Sequence, residues 1–189
     1  MNTKFLTFGM SIAILALFSS CDKDPVVPNE EELITTVNYT LTPVSTGQTV
    51  TYTFLDIDGD GGNAPIISTI GELKSGTSYN GVLTLLNEAG NPSQNITEEI
   101  EAEDKDHQLF FAVSGGTVGK MVISYDDKDA NNQPLGLKTK VSTTGTGTGK
   151  LMITLRHLPN KSATGVSTGN ITNAGGETDI EVNFDIVIK

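Results

Sequence analysis

The sequence predicts an all-β chain, and three observations lead there. Beyond Leu33 the apolar residues recur at every second position. The alternating runs are rich in Val, Ile, Thr, Tyr and Phe, residues that suit a pleated, half-buried surface. Gly, Asn, Asp and Pro collect in the gaps between the runs, where turns need them. Together these point to a single antiparallel two-sheet β-sandwich, immunoglobulin-like or related, over residues 33–189. Period-two alternation gives each sheet one dry face and one wet face.

The elements follow in order. Residues 33–41 open the series, with Val37, Tyr39 and Leu41 on one face. Residues 49–55 repeat the pattern with Val50, Tyr52 and Phe54. Further strands are expected at 78–86, 107–113, 121–125, 136–143, 150–157 and 178–188. The stretch from Gln94 to Lys105 breaks the rhythm. It is crowded with Glu98, Glu99, Glu101, Glu103 and Asp104, and reads as a short acidic helix or an extended loop. Thr143 to Gly149 is a low-complexity Thr-Gly run, read most simply as a flexible hairpin loop. It lacks the strand-to-helix setting and the lysine of a phosphate loop. Pro159 to Glu177 is a long segment rich in Gly, Asn, Ser and Thr. Loops of that length are usually functional or disordered. The expectation is a partner-contacting loop whose deletion over Ser162–Gly169 spares thermal stability.

The region before the domain carries a different signal. Lys4 precedes an apolar run from Phe5 to Phe18, and Ser19-Ser20 precede Cys21, the only cysteine. The run is shorter than the roughly 20 residues a spanning helix needs. It matches the core of a secretory signal peptide. Small residues immediately before a cysteine let a lipoprotein signal peptidase reach that bond. The expectation is a signal peptide over 1–20, a lipidated Cys21, and an acidic tether over 21–32 with Pro25 and Pro28. Several acyl chains on one residue anchor stably, where one chain holds marginally. The plain alternative is an ordinary secreted protein in which Cys21 is incidental. A lone cysteine also rules out an internal disulfide, so the core must hold the fold. Asp22-Lys23-Asp24 follows the cysteine. That charge pattern suggests surface display, with a periplasm-facing anchor as the other option.

Charge narrows the partners. The chain has 23 acidic and 12 basic residues and a net charge of −11. Loss of Lys4 with the signal peptide makes that −12. An acidic surface argues against nucleic acid and anionic lipid as direct partners. It suits cations, or solubility alone. Tryptophan is absent, which weakens the case for a sugar-stacking platform.

Several residues have the types and spacing of metal ligands. Asp56-x-Asp58-x-Asp60-Gly61 has the rhythm of a calcium loop, in which alternate carboxylates wrap a hard cation. Gly62 would add a backbone carbonyl. Position twelve is Ile67, where an EF-hand has a bidentate Glu, so a non-EF-hand calcium loop competes with a tight Asp-Gly turn. Asp127, Asp129 and Asn131 repeat the rhythm more weakly, in a segment that also reads as a hairpin loop. His107 and His157 are the two histidines. With a carboxylate they suit zinc or another transition metal, provided their strands are neighbours and both rings share a face. Otherwise they are unrelated strand-end residues. No His-Glu-x-x-His or Gly-x-Ser-x-Gly is present, and no catalytic residue or enzyme activity is expected.

Four segments carry a resemblance. They are Asp56 to Pro65, Gly136 to Thr139, Leu155 to Lys161, and Thr172 to Asp179. Together they resemble a family of small Bacteroidota lipoproteins, over nearly the whole mature domain. Members are often encoded beside TonB-dependent outer-membrane receptors, and some are described as having a type 1 periplasmic binding fold. That two-lobed fold needs alternating strands and helices, which the all-β pattern here lacks. The resemblance implies a non-catalytic accessory of a nutrient or metal uptake system. A structural or adhesive surface lipoprotein without a small-molecule ligand is the alternative.

Overall fold

A computed structural model describes residues 32–59 and 62–189. The expected signal peptide, Cys21, most of the tether, and Asp60 and Gly61 of the aspartate loop lie outside the described residues. Among the described residues no helix is long and apolar enough to cross a membrane.

The described residues form two antiparallel sheets packed face to face. The strands are β1 (Thr36–Pro43), β2 (Val50–Leu55), β3 (Ile66–Ile70), β4 (Ser78–Leu86), β5 (His107–Gly115), β6 (Met121–Tyr125), β7 (Lys138–Thr143), β8 (Gly147–His157) and β9 (Glu177–Ile188). One sheet has six strands in the order β3-β2-β1-β4-β7-β6, and the other has three in the order β5-β8-β9. This is the two-sheet β-sandwich expected from the alternation. The inward series includes Val37, Tyr39, Leu41, Tyr52, Leu83 and Leu85 from the larger sheet. The smaller sheet contributes Leu109, Leu151, Ile153, Leu155, Val182, Phe184 and Ile186. All pack into one cluster. Each large side chain removed from water contributes about 1.5–3 kcal/mol, and in this chain no disulfide adds to that.

The core tyrosine Tyr39 is paired through its hydroxyl. The buried Tyr39 hydroxyl sits 2.7 Å from Thr139 Oγ1. Burial pushes the Tyr39 phenol well above its ordinary range, so the group stays neutral. Gly81 lies between the two, and a Cβ there would stand 2.2 Å from Thr139 Oγ1. Only glycine fits that gap.

β3 is the strand the alternation did not reveal. It is short, lies at the sheet edge, and all five residues are exposed. Its signal was the β-branched run Ile66, Ile67, Thr69 and Ile70 between Pro65 and Gly71. The acidic stretch resolves as α1 (Ile96–Ala102), with Ile96 and Ile100 buried and the glutamates outside. Thr97 Oγ1 accepts from Leu85 N at 2.8 Å and donates to Leu85 O at 3.1 Å, docking α1 on β4.

Two loop expectations are corrected. The Thr-Gly run is not a hairpin loop. Its end, from Gly147, is already β8. Thr144, Gly145 and Thr146 carry the chain from the larger sheet to the smaller one. The glycines allow this because strands approach closely there: a Cβ on Gly149 would meet Ser114 O at 2.1 Å. The long segment after β8 is not a free loop either. It makes two short 3-10 turns, Val166–Thr168 and Ile171–Asn173. Val166 and Ala174 are buried with Phe110 of β5 in a second small cluster. Gln108, also on β5, donates to Val166 O at 3.0 Å. The segment is a packed cover over the outer face of the smaller sheet.

Candidate functional site

The two histidines meet at one end of the sandwich. His107 opens β5 and His157 closes β8, and they are direct register partners. Each belongs to the inward-facing series of its strand, so the rings share a face. They stack with centroids 4.9 Å apart and planes 16° apart. The condition that sequence reasoning set for this pair is therefore met.

The surroundings of His107 are specific. Its side chain is fully buried. Nδ1 lies 3.2 Å from the carbonyl of Glu103, at the C-terminal end of α1. That carbonyl also accepts from Asp106 N at 2.9 Å. A carbonyl only accepts, so Nδ1 carries the hydrogen. Nε2 then faces the Glu32 carboxylate, at 3.2 Å from Oε1 and 3.3 Å from Oε2. Asp179 Oδ2 is 3.8 Å from the same nitrogen, and its side chain is also buried. The Glu103 carboxylate joins Glu32 and His107 in a group whose ligand atoms lie within 4.8 Å of one another.

Asp179 reaches this position through a β-bulge. In β9 the inward series is Ile180, Val182, Phe184, Ile186 and Ile188. Strict alternation would turn Asp179 outward. The register with β8 slips between Leu155, paired to Ile180, and Arg156, paired to Thr178. Asp179 is the extra residue. Bulges re-aim side chains in this way beside functional sites. Gly176 makes the approach possible. It has φ 69°, and a Cβ there would stand 2.1 Å from His157 O. Both the conformation and the contact favour glycine. Arg156 closes the turn, donating through Nη2 to Gly175 O and Gly176 O, each at 2.7 Å, and through Nη1 to Thr178 Oγ1.

Above this group opens a cleft of about 410 Å³. Its lining includes Glu32, Asp56, Asp179 and Glu181, with Ile34, Phe54 and Ile180 as apolar wall. Among the described residues the lining contains no Lys or Arg. Four carboxylates without a basic residue give a field that attracts cations.

The aspartate loops divide. Asp56 lines the cleft, and its Oδ1 accepts from Gly59 N at 3.0 Å. Asp58 is turned into its own loop, accepting from Asn63 N at 2.9 Å and Asn63 Nδ2 at 2.6 Å. Those bonds from the Asn63 backbone and side chain hold its carboxyl below the usual range. Gly62 N donates to Gly59 O at 3.2 Å. The described part of this loop thus has the hydrogen bonds of a tight Asx-type turn. Asp127 accepts from Gly136 N at 2.7 Å and Lys138 N at 2.8 Å. Asp129 accepts from Asn131 N and Gln133 N, each at 2.8 Å, and pairs with the buried Lys161 ammonium at 2.9 Å. Asn131 enters through its backbone. In this second loop the place of a cation is taken by Lys161. Asp127 and Asp129 also line clefts other than the one at the histidines.

Sequence reasoning missed Glu32, Glu103 and Asp179 as members of the histidine group. Glu32 stood at the end of the expected tether, and its side chain packs against His107 instead. Asp179 was concealed by the bulge. The one available signal was the pair Gly175-Gly176 immediately before a strand that begins Glu-Thr-Asp, since paired glycines mark a close backbone approach. No protein-family model, curated protein or solved structure matches this chain.

Proposed function

We propose that this chain is a lipid-anchored, non-catalytic binding protein that serves a TonB-dependent outer-membrane uptake receptor and takes a cationic ligand at the histidine end of its sandwich. One observation carries the binding part: a cleft lined by Glu32, Asp56, Asp179 and Glu181 shares Glu32 and Asp179 with the surroundings of His107, which stacks on His157. The anchoring part rests on the sequence before and at Cys21, and the receptor part on the resemblance to receptor-linked lipoproteins. Expressed in a Bacteroidota host, the native protein is expected in the outer-membrane fraction, and Cys21→Ala is expected to release it to soluble fractions. Detergent extracts of the native form should retain a receptor through affinity purification. Membrane association that survives Cys21→Ala refutes the anchor. Purification of the chain alone, under conditions that keep outer-membrane complexes intact, refutes the receptor role.

A second reading has one feature in its favour. The edge strand β3 exposes Ile66 at 64%, Ile67 at 49% and Ile70 at 69%. Apolar edge strands are templates for pairing with another chain. A structural or adhesive lipoprotein would use such an edge for self-association, and light scattering of the purified protein would then report concentration-dependent oligomers.

A further inference from the structure

We infer that the free edge of β9 is a docking site for one extended segment of a partner protein, in which apolar and basic residues alternate. This goes beyond the reading above and does not depend on the ligand taken at the histidine end.

The two sheets differ in width: six strands face three. Tyr52 of β2 and Phe184 of β9 pack with ring centroids 5.5 Å apart, so β9 lies over β2. β3 is one place further out, and among the described residues no strand of the smaller sheet lies beyond β9. Ile67 and Thr69 of β3 are the register partners of Phe54 and Tyr52. Register partners point to the same side of a sheet, so Ile67 and Thr69 face inward. Ile67 is nevertheless 49% exposed. A strand paired to β9 would sit about 4.8 Å further out, over β3.

The edge has the backbone groups to hold such a strand. Immediately after β9, Lys189 N donates to Leu73 O at 2.9 Å, and Lys189 O accepts from Ser75 N at 2.7 Å. Lys189 therefore faces away from β8, and in an antiparallel strand every second residue does the same. The pairing with β8 is regular from Ile188 back to Ile180. Glu181, Asn183, Asp185 and Val187 thus turn their N–H and C=O groups to the free edge, and all four are exposed. The Leu73–Ser75 segment closes this groove at one end. At the other end Glu32 and Leu33 line the 410 Å³ cleft. A second cleft of about 190 Å³, lined by Tyr52, Thr69, Asp185 and Val187 among others, lies toward Leu73. Both clefts follow the same gap between β2 and β9.

Charge selects the occupant. A second copy pairing its own β9 antiparallel about Asn183 would set Glu181 opposite Asp185, and like charges directly across strands destabilise. Residues 22–31 of this chain fit no better: they hold Asp22, Asp24, Glu30 and Glu31 against Lys23 alone, and Pro25 and Pro28 lack the N–H that a ladder uses. A partner strand would alternate. Its outward side chains would run beside Glu181, Asn183 and Asp185, where Lys or Arg is complementary. Asp185 meets Lys150 of β8 at 2.7 Å, and its side chain stays 84% exposed, open to a second cation. The inward side chains would cover Ile67, where apolar groups fit. Main-chain bonds to an exposed edge with pockets for alternate side chains are the general mode of strand addition.

The test uses the full lipoprotein, purified in nonionic detergent with chelator present so that no ion bridges, and a capped octapeptide of alternating valine and lysine as probe. Calorimetry is expected to give one peptide per chain. Hydrogen exchange should show the amides of Glu181, Asn183, Asp185 and Val187 slowed by the peptide. A valine–glutamate octapeptide should bind at least tenfold more weakly. A valine–lysine version N-methylated throughout keeps the charges, removes every backbone donor, and should not bind. Asn183→Pro deletes one edge donor whose N–H points away from β8, a place where an edge strand tolerates proline, and should weaken the probe at least tenfold. Ile67→Lys, at an exposed position, should do the same and remains informative if Asn183→Pro fails to fold. Folded protein that does not bind the valine–lysine peptide overturns the inference. So does binding that N-methylation leaves unchanged, which reports attraction to an acidic surface alone. Concentration-dependent dimers that slow the same amides without peptide assign the edge to a second copy and overturn it as well.

Discussion

Lys161→Met is expected to lower the stability of the domain by about 3–5 kcal/mol, the usual cost of leaving a buried charge unpaired. The Lys161 and Asp129 side chains are 6% and 1% exposed and 2.9 Å apart. Lys161 Nζ also donates to Asp104 O at 2.6 Å. That one ammonium joins three segments: the cover after β8, the loop after β6, and the turn between α1 and β5. Methionine keeps most of the volume and removes the charge, so Asp129 is left facing the gap. For a domain of this size the melting temperature should fall by roughly 6–20 °C, at about 2–4 °C per kcal/mol. The pH dependence has a definite sign. Burial raises the Asp129 carboxyl, but the hydrogen bond from Lys161 and the Gln133 and Asn131 amides outweigh it and hold it below the usual range. Its contribution is present above the ordinary aspartate value of about 3.9, and it is lost as the pH falls through the lower folded value. The parent protein should therefore lose stability on that acid limb, and Lys161→Met should show a flatter one. Calorimetry from pH 2.5 to 7 reads both effects. A variant that melts within 2 °C of the parent would show that the pair does not hold the cover down.

Deleting Ser162–Gly169 is expected to be comparably damaging, by about 3–6 kcal/mol. Val166 is fully buried, Phe110 is 3% exposed, and the two pack together. Uncovering one such side chain costs about 1.5–3 kcal/mol, and the deletion removes the first and exposes the second. It also takes away the carbonyl that receives the Gln108 side chain. Composition alone leads to the opposite expectation. The segment is rich in Gly, Ser, Thr and Asn, and it makes only two short 3-10 turns. What holds it is sparse: the buried Val166 and Ala174 with Ala163 and Ile171 packed against their cluster, and Lys161, spaced without a period that sequence reading would detect. Urea denaturation of the deletion against the parent is the direct measurement. Unchanged stability would mean that the outer face of the smaller sheet needs no cover.

The same contrast runs through the rest of the molecule. Strands with long alternation were legible because period two is a direct consequence of one buried face. Residues 78–86 and 121–125 coincide with β4 and β6. β3 was not legible as a half-buried strand because, as an exposed edge, it buries neither face. The Thr-Gly run misled because glycine marks both free turns and places where strands press together. The histidine pair was legible as a question, since two rings at strand ends either meet or do not, and only strand order decides. Its carboxylates were less legible. Glu32 lies in an acidic stretch that composition assigns to a tether. Asp179 lies in an alternation that assigns it to solvent, and a one-residue slip in register reverses that assignment. Tertiary pairing creates such a slip, and no local pattern encodes it. The aspartate loops are the converse case: a spacing that suggests metal, with side chains that mostly satisfy their own backbone.

The most direct test of the central claim is anomalous diffraction at the zinc edge from crystals of the protein grown with zinc. A single strong peak is expected at the histidine end of the sandwich, in or beside the cleft that shares Glu32 and Asp179 with the surroundings of His107. A peak only at the Asp56–Asp60 loop, or none at the stacked histidines, would contradict the account.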